Sequence, residues 1–264
     1  MDKIFDYENP NAWSSYIRLI MNRYLNEQVL NELLEISNED NRYIDIEDVY
    51  KFIPNSILTD IFKYINENNC FIKLYHATAT NNIDSYLQNG LCVLNSNEKN
   101  KYARELFNKD KFPDLTDEKF NVAIQEHLEY LGMEVRENRI SFMTHKEHLI
   151  KNETHYLTYG SEYIFILAQR LGYEYKYFLQ DTLKPALLTC KIPFELLNDE
   201  FASMTISNII VKYIENIIYP EEIYKEDNYE YRNDAEIYIN SDLDSSYILN
   251  IEHPDDITCT KFGY

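Results

Sequence analysis

FIKLYHATATNNIDSYLQNGL, Phe71 to Leu91, is the stretch on which the fold turns. Phe71 to Tyr75 is an apolar, β-favouring run with one lysine. His76-Ala77-Thr78 closes it with small and polar groups. Asn82 to Gln88 reads as a short amphipathic helix, with Ile83, Tyr86 and Leu87 at helical spacing. Gly90 follows where a helix ends most cheaply on a positive φ. The stretch predicts a buried strand that ends in a histidine, with a helix packed straight back over it. Polar groups at such a junction can face a ligand rather than the core. A strand-end histidine by itself is usually structural; its neighbours single this one out.

Before this stretch, residues 1–69 read as a helical N-terminal cap. Ala12 to Ser37 carries apolar residues three or four apart, a second segment starts near Asp45, and a third runs from about Asn55 to Asn68, behind Pro54. No acid–base or metal-ligand spacing is visible there. Residues 70–264 form the main domain, with a charged insertion at about 95–137. In it Lys99, Lys101, Arg104, Lys109 and Lys111 cluster, which reads as a solvated helical face or as a surface that contacts a target. Pro113 to Thr116 caps a helix running to about Leu131, ended by Gly132.

Arg139 to Thr144 reads as a short strand and Thr158 to Leu171 as a buried helix ended by Gly172. Pro185 to Leu197 is a strand turning at Pro193. Ile206 to Ile218, alternating and β-branched, reads as one or two further strands. After an acidic, tyrosine-rich loop at 220–231, Glu236 opens a short strand, and Tyr247 to Ile251 reads as the last core strand. His145 and His148 are three apart, but no third ligand follows at a firm spacing, so no metal site is expected.

The 264 residues carry a formal charge of -20. Such a surface repels phosphate backbones and disfavours bulk nucleic acid as a partner. No apolar run is long enough to span a membrane and the start shows no signal peptide. Cys70, Cys92, Cys190 and Cys259 stand far apart, as reduced thiols of a cytoplasmic protein would. A Gly-rich phosphate loop is absent, which counts against kinase and Rossmann readings.

Tyr75-His76-Ala77-Thr78, the following Asn82-Ile83 and then Gly90-Leu91 resemble the first strand and helix of the ADP-ribosyltransferase superfamily, in its His-Tyr-Glu branch of diphtheria-type toxins and poly(ADP-ribose) polymerases. The resemblance covers about residues 71–258. It implies an α+β chain with a split mixed β-sheet, and NAD as substrate. It implies that His76 bonds a ribose hydroxyl, that the backbone at Ala77 grips the carboxamide, and that Tyr75, Thr78 and Ser161 line the site. A tyrosine stacks on nicotinamide: Tyr159, with room for a ligand beside Gly160, or Tyr156, with Tyr163 a further candidate. Glu236 would bond the ribose 2′-hydroxyl and stabilise positive charge as the glycosidic bond breaks. Asp234 stands two residues earlier, where arginine-modifying relatives carry a glutamate, although those relatives have arginine in place of His76.

The activity so implied is transfer of ADP-ribose to a macromolecule, protein somewhat ahead of nucleic acid, or NAD hydrolysis, in a toxin or phage-defence setting with an inhibitor or antitoxin as partner. Two rivals stand beside it. One is a catalytically inactive acidic binding module on the same fold. The other is an RNA 2′-phosphotransferase-like enzyme, which calls for basic residues near His76 that the sequence does not supply.

Overall fold

A computed structural model describes residues 2–40, 44–131, 138–219 and 236–255. Among them the chain is α+β, with twelve α-helices and six strands. The loop at 220–231, Asp234, Gly132 and Cys259 lie outside the described residues.

The quoted stretch forms a strand and a helix, but the strand outruns its apolar part. β2 takes in Phe71–Thr80, so His76 lies inside it and does not end it. Ala77, Thr78 and Ala79 are all buried, and no turn-former interrupts the pairing before Asn81. β1 (Ile4–Phe5) runs parallel to β2 through Ile4↔Phe71 and Phe5↔Ile72. β3 (Ile140–Met143) runs antiparallel to it, with Met143 opposite Tyr75. β4 (Lys184–Pro193) pairs antiparallel with β6 (Ile248–Glu252) through Leu187↔Glu252 and Leu188↔Ile251.

With β5 (Glu236–Ile239) the order is β5-β3-β2-β4-β6, and β1 lies beside β2 off that path. The result is one open, mostly antiparallel six-stranded sheet in place of the expected split one. β6 is its edge. The register shifts beside Leu249, which is 46% exposed, so Tyr247 to Ile251 is not the core strand its apolar letters suggest. Bulged, half-wet strands are common at sheet edges, where they discourage further pairing.

The chain divides into two compact units, Met1–Leu74 with Lys191–Ile237 and Tyr75–Cys190 with Tyr238–Tyr264. The first is built on α1 (Pro10–Met21), α2 (Glu27–Asp40), α3 (Ile46–Tyr50), α4 (Ser56–Glu67) and α12 (Asp199–Ile218). Ala12 to Ser37 is two helices, because the Asn26 side chain accepts from Val29 N–H at 2.9 Å and starts α2 afresh. Asp45 and Asp48 form a capping box for α3.

The expected strands at Ile206 to Ile218 are instead the C-terminal part of α12. Asn198 caps it, accepting from Phe201 N–H at 2.8 Å, and Asp199 and Glu200 suit its positive end. Ala202, Thr205, Ile206, Ile209, Ile210, Tyr213 and Ile214 are all buried, three or four apart. This helical stripe outweighs the β-branched composition. α12 packs on α1, α2, α3 and α4.

The second unit holds α5 (Asp84–Asn89), α6 (Ser96–Leu106), α7 (Asp117–Leu131), α8 (Lys146–Lys151), α9 (Thr154–Tyr159), α10 (Glu162–Leu171) and α11 (Tyr173–Thr182). α10 is the centre, buried from Tyr163 to Ala168 and packed against α7, α9 and α11. Thr158 to Leu171 is therefore not one helix. Gly160, at φ +87°, turns the chain, and the Ser161 hydroxyl restarts it by accepting from Ile164 N–H at 3.2 Å. The charged insertion is helical, with a capping box of Asn95 and Glu98 on α6 and the Thr116 hydroxyl accepting from Lys119 N–H at the start of α7.

Candidate functional site

Successive side chains of a strand point to opposite faces, and β2 shows what each face meets. Tyr75 and Ala77 pack with Leu149 and Leu157, and Tyr156 and Met143 lie against that cluster. Ala79 joins the larger cluster that contains Tyr159. α9, with both candidate tyrosines, thus covers the odd-numbered face. His76 and Thr78 belong to the other face. There the His76 ring lies 5.8 Å from that of Phe142, and Thr78 Oγ1 stands 3.5 Å from the Tyr86 hydroxyl.

His76 is held by one polar contact, Nδ1 lying 2.9 Å from the Ser141 carbonyl oxygen. A carbonyl only accepts, so Nδ1 carries the proton and Nε2 of the neutral ring is an acceptor. Burial holds the imidazole below its ordinary pKa, the Ser141 bond opposing this in part. The ring is therefore neutral at pH 7, fixed in tautomer and half-buried. Ser141 comes from β3, so the sheet itself sets the orientation.

Tyr159 is 4% exposed. Its ring stacks on Phe165 at 4.6 Å and its hydroxyl accepts from Gln180 Nε2 at 3.0 Å. The room expected beside Gly160 is taken by the β2 backbone, since a Cβ there would lie 3.1 Å from the Ala79 carbonyl oxygen. Tyr156 is half-buried, its ring 4.0 Å from that of His155. Tyr163 is buried in α10, donates to Asn100 and has its hydroxyl pKa pushed up to about 12 by burial. Ser161 is an exposed helix cap. Tyr75 is fully buried. Glu236 is the exposed first residue of β5, in the stretch of chain that belongs to the first unit.

The structure thus brings His76, Thr78 and Tyr86 together on one face of β2. It sets Tyr156 and Tyr159 against the other. Tyr86 was legible only as one apolar letter of a helix; the pairing of its hydroxyl with Thr78, eight residues earlier, has no local signature.

Gly90 explains how α5 is placed. It lies at φ +74°, and a Cβ there would stand 1.9 Å from the Leu243 carbonyl oxygen. Leu91 and Leu243 then exchange backbone bonds of 2.9 and 2.8 Å. The Gly90 amide also bonds the Tyr86 carbonyl at 2.9 Å, so the turn that clamps the loop fixes the tyrosine.

The basic cluster borders a shallow recess of about 720 Å³ lined by Asn97, Asn100, Lys101, Arg104, Glu105 and Asp110. Arg104 lies 3.5 Å from Asp117 and bonds Asn121 at 2.6 Å, and Lys109 lies 3.7 Å from Asp117. Arg104 and Lys109 thus share one exposed carboxylate, that of Asp117. His145 precedes α8 and bonds Thr144, while His148 lies in α8 near Glu153. Among the described residues no three His, Cys, Asp or Glu side chains converge as metal ligands, and no helix is long and apolar enough to cross a membrane.

Neither the known protein-family models, nor the curated proteins, nor the solved structures contain a match to this chain.

Proposed function

We propose that this chain is an ADP-ribosyltransferase that moves ADP-ribose from NAD to a macromolecule, with hydrolysis of NAD as the reaction when water takes the acceptor's place. The observation that carries this is His76. A neutral imidazole with its Nδ1 proton committed to Ser141 offers Nε2 as a fixed acceptor for a ribose hydroxyl. Thr78, two residues on and so about 7 Å along the same face, is buried and keeps its hydroxyl 3.5 Å from that of Tyr86.

In the reaction the bond between ribose C1′ and the nicotinamide nitrogen breaks and its electron pair leaves with nicotinamide, which becomes neutral. The acceptor's nucleophile bonds C1′ and gives up a proton. No general acid is needed, because the leaving group is already cationic. The protein's task is to hold the dinucleotide and to face the cationic ribose with a carboxylate. That carboxylate is Glu236, a role resting on sequence resemblance alone. With a net charge of -20, a protein is the favoured acceptor over bulk nucleic acid.

A second reading has its own support: a catalytically silent, acidic binding module on this fold. The tyrosine expected to stack on nicotinamide is a core residue on the far side of β2.

Titration calorimetry with NAD tests the first reading directly, and no heat at millimolar NAD overturns it. Nicotinamide release then separates enzyme from module. Glu236→Gln keeps the side-chain volume and removes the charge. It should cut release by about 10²–10³-fold with NAD affinity unchanged, because its electrostatic partner exists only in the transition state. A parent protein that binds NAD without releasing nicotinamide is the module.

A further inference from the structure

We infer that Tyr86 is the aromatic residue that the His76 face presents to the nicotinamide riboside half of NAD. This rests on the reading of the chain as an NAD-using enzyme and assigns the stacking role to a residue outside the expected triad.

Four observations lead there. First, side-chain alternation along β2 puts His76 and Thr78 on one face, whereas Tyr156 and Tyr159 pack with Ala77 and Ala79 on the other. A ligand bonded to His76 Nε2 cannot also stack on a ring on the far side of the same strand. Second, Tyr86 is on the His76 face, because its hydroxyl stands 3.5 Å from Thr78 Oγ1. Third, its place is fixed from behind. The Gly90 amide holds the Tyr86 carbonyl, and Gly90 itself fits only because no Cβ meets Leu243. Fourth, Tyr86 is only half-buried, and α5 buries no side chain completely, so part of Tyr86 is open to solvent. A partly exposed aromatic ring beside the face that carries His76 is a residue on which a planar ligand can stack.

Burial first, and the neighbouring Tyr86 after it, raise the phenol pKa of Tyr102 of α6, which is 41% exposed.

The test is NAD titration of the full chain and five variants. Stacking of a ring on an aromatic side chain is worth enough that Tyr86→Ala should weaken NAD binding about tenfold or more. Tyr86→Leu keeps apolar volume without a π-face and should weaken it similarly, whereas Tyr86→Phe should stay within about threefold of the parent. Tyr159→Phe should leave affinity unchanged, and Tyr159→Ala should lower the melting temperature. Circular dichroism checks that each variant is folded.

If the parent binds NAD and folded Tyr86→Leu binds equally well, Tyr86 does not stack and this inference alone falls. The same holds if Tyr159→Phe loses affinity while Tyr86→Leu keeps it. If the parent binds no NAD, the inference falls together with the function it rests on.

Discussion

His76 owes its chemistry to a backbone atom. The Ser141 carbonyl accepts a hydrogen bond from Nδ1–H and burial disfavours the charged form, so the residue is a neutral acceptor. The pH dependence follows. Unfolded, the imidazole titrates near 6.5; folded, it titrates lower, first because burial disfavours its charged form. Between those two values the unfolded chain binds more protons than the folded one, so stability rises with pH across that window. It is fully present above about 6.5, is lost as pH falls towards the folded value, and changes no further below it. Urea denaturation at pH 7.5 and 5.5 should show a loss for the parent that is smaller in His76→Phe, which keeps an aromatic ring beside Phe142. Equal losses in the two proteins would mean that His76 does not titrate in this way. NAD affinity should fall as pH drops through the lower, folded-state value, since protonation turns Nε2 from acceptor to donor.

At the scale of elements, α12 departs furthest from its sequence expectation and offers a sharp energetic test. Its Lys212 and Glu215, each 3% exposed, form an ion pair of 3.1 Å inside the helix cluster. Removing one partner strands a buried charge, so Glu215→Ala should cost about 3–5 kcal/mol, and the double change Lys212→Met with Glu215→Leu should recover most of it. Chemical denaturation measures both; a single variant as stable as the parent would show the pair to be solvated. The same helix shows what the sequence could and could not tell. The stripe from Ala202 to Ile214 has the helical period, but Ile, Val and Thr carry a strand-like composition, so in this stretch period and composition conflict. The β2–α5 stretch, α4, α7, β3 and β4 were legible because pattern and punctuation agree. The extent of β2 was not, since His76-Ala77-Thr78 looks like an ending and is buried pairing. Nor could any local pattern show that α9 lies on the opposite face of β2 from His76. That follows from the turn at Gly160 and its close approach to Ala79, a contact eighty residues apart in the chain.

At the scale of the whole molecule, charge is the dominant feature. With 45 acidic and 25 basic side chains, pairing every base would still leave an excess of 20 carboxylates. The pairs that form are largely exposed, such as Lys63–Glu67 and Lys151–Glu147, and pairs of that kind contribute about 0–1 kcal/mol each. Repulsion among the remaining carboxylates acts over longer distances and favours the expanded chain. Salt should therefore stabilise this protein. The screening length falls from about 30 Å at 0.01 M to about 8 Å at 0.15 M, which removes long-range repulsion before it weakens contacts of 3–4 Å. Melting temperature should rise with sodium chloride over that interval, by about 2–4 °C for each kcal/mol of repulsion relieved. Scanning calorimetry at fixed pH 7.5 checks it. A melting temperature that fell would place the balance with attractive pairs such as Arg104–Asp117 and Lys146–Glu252, and the acidic surface would then be held together by its few bases rather than strained by its excess of acids.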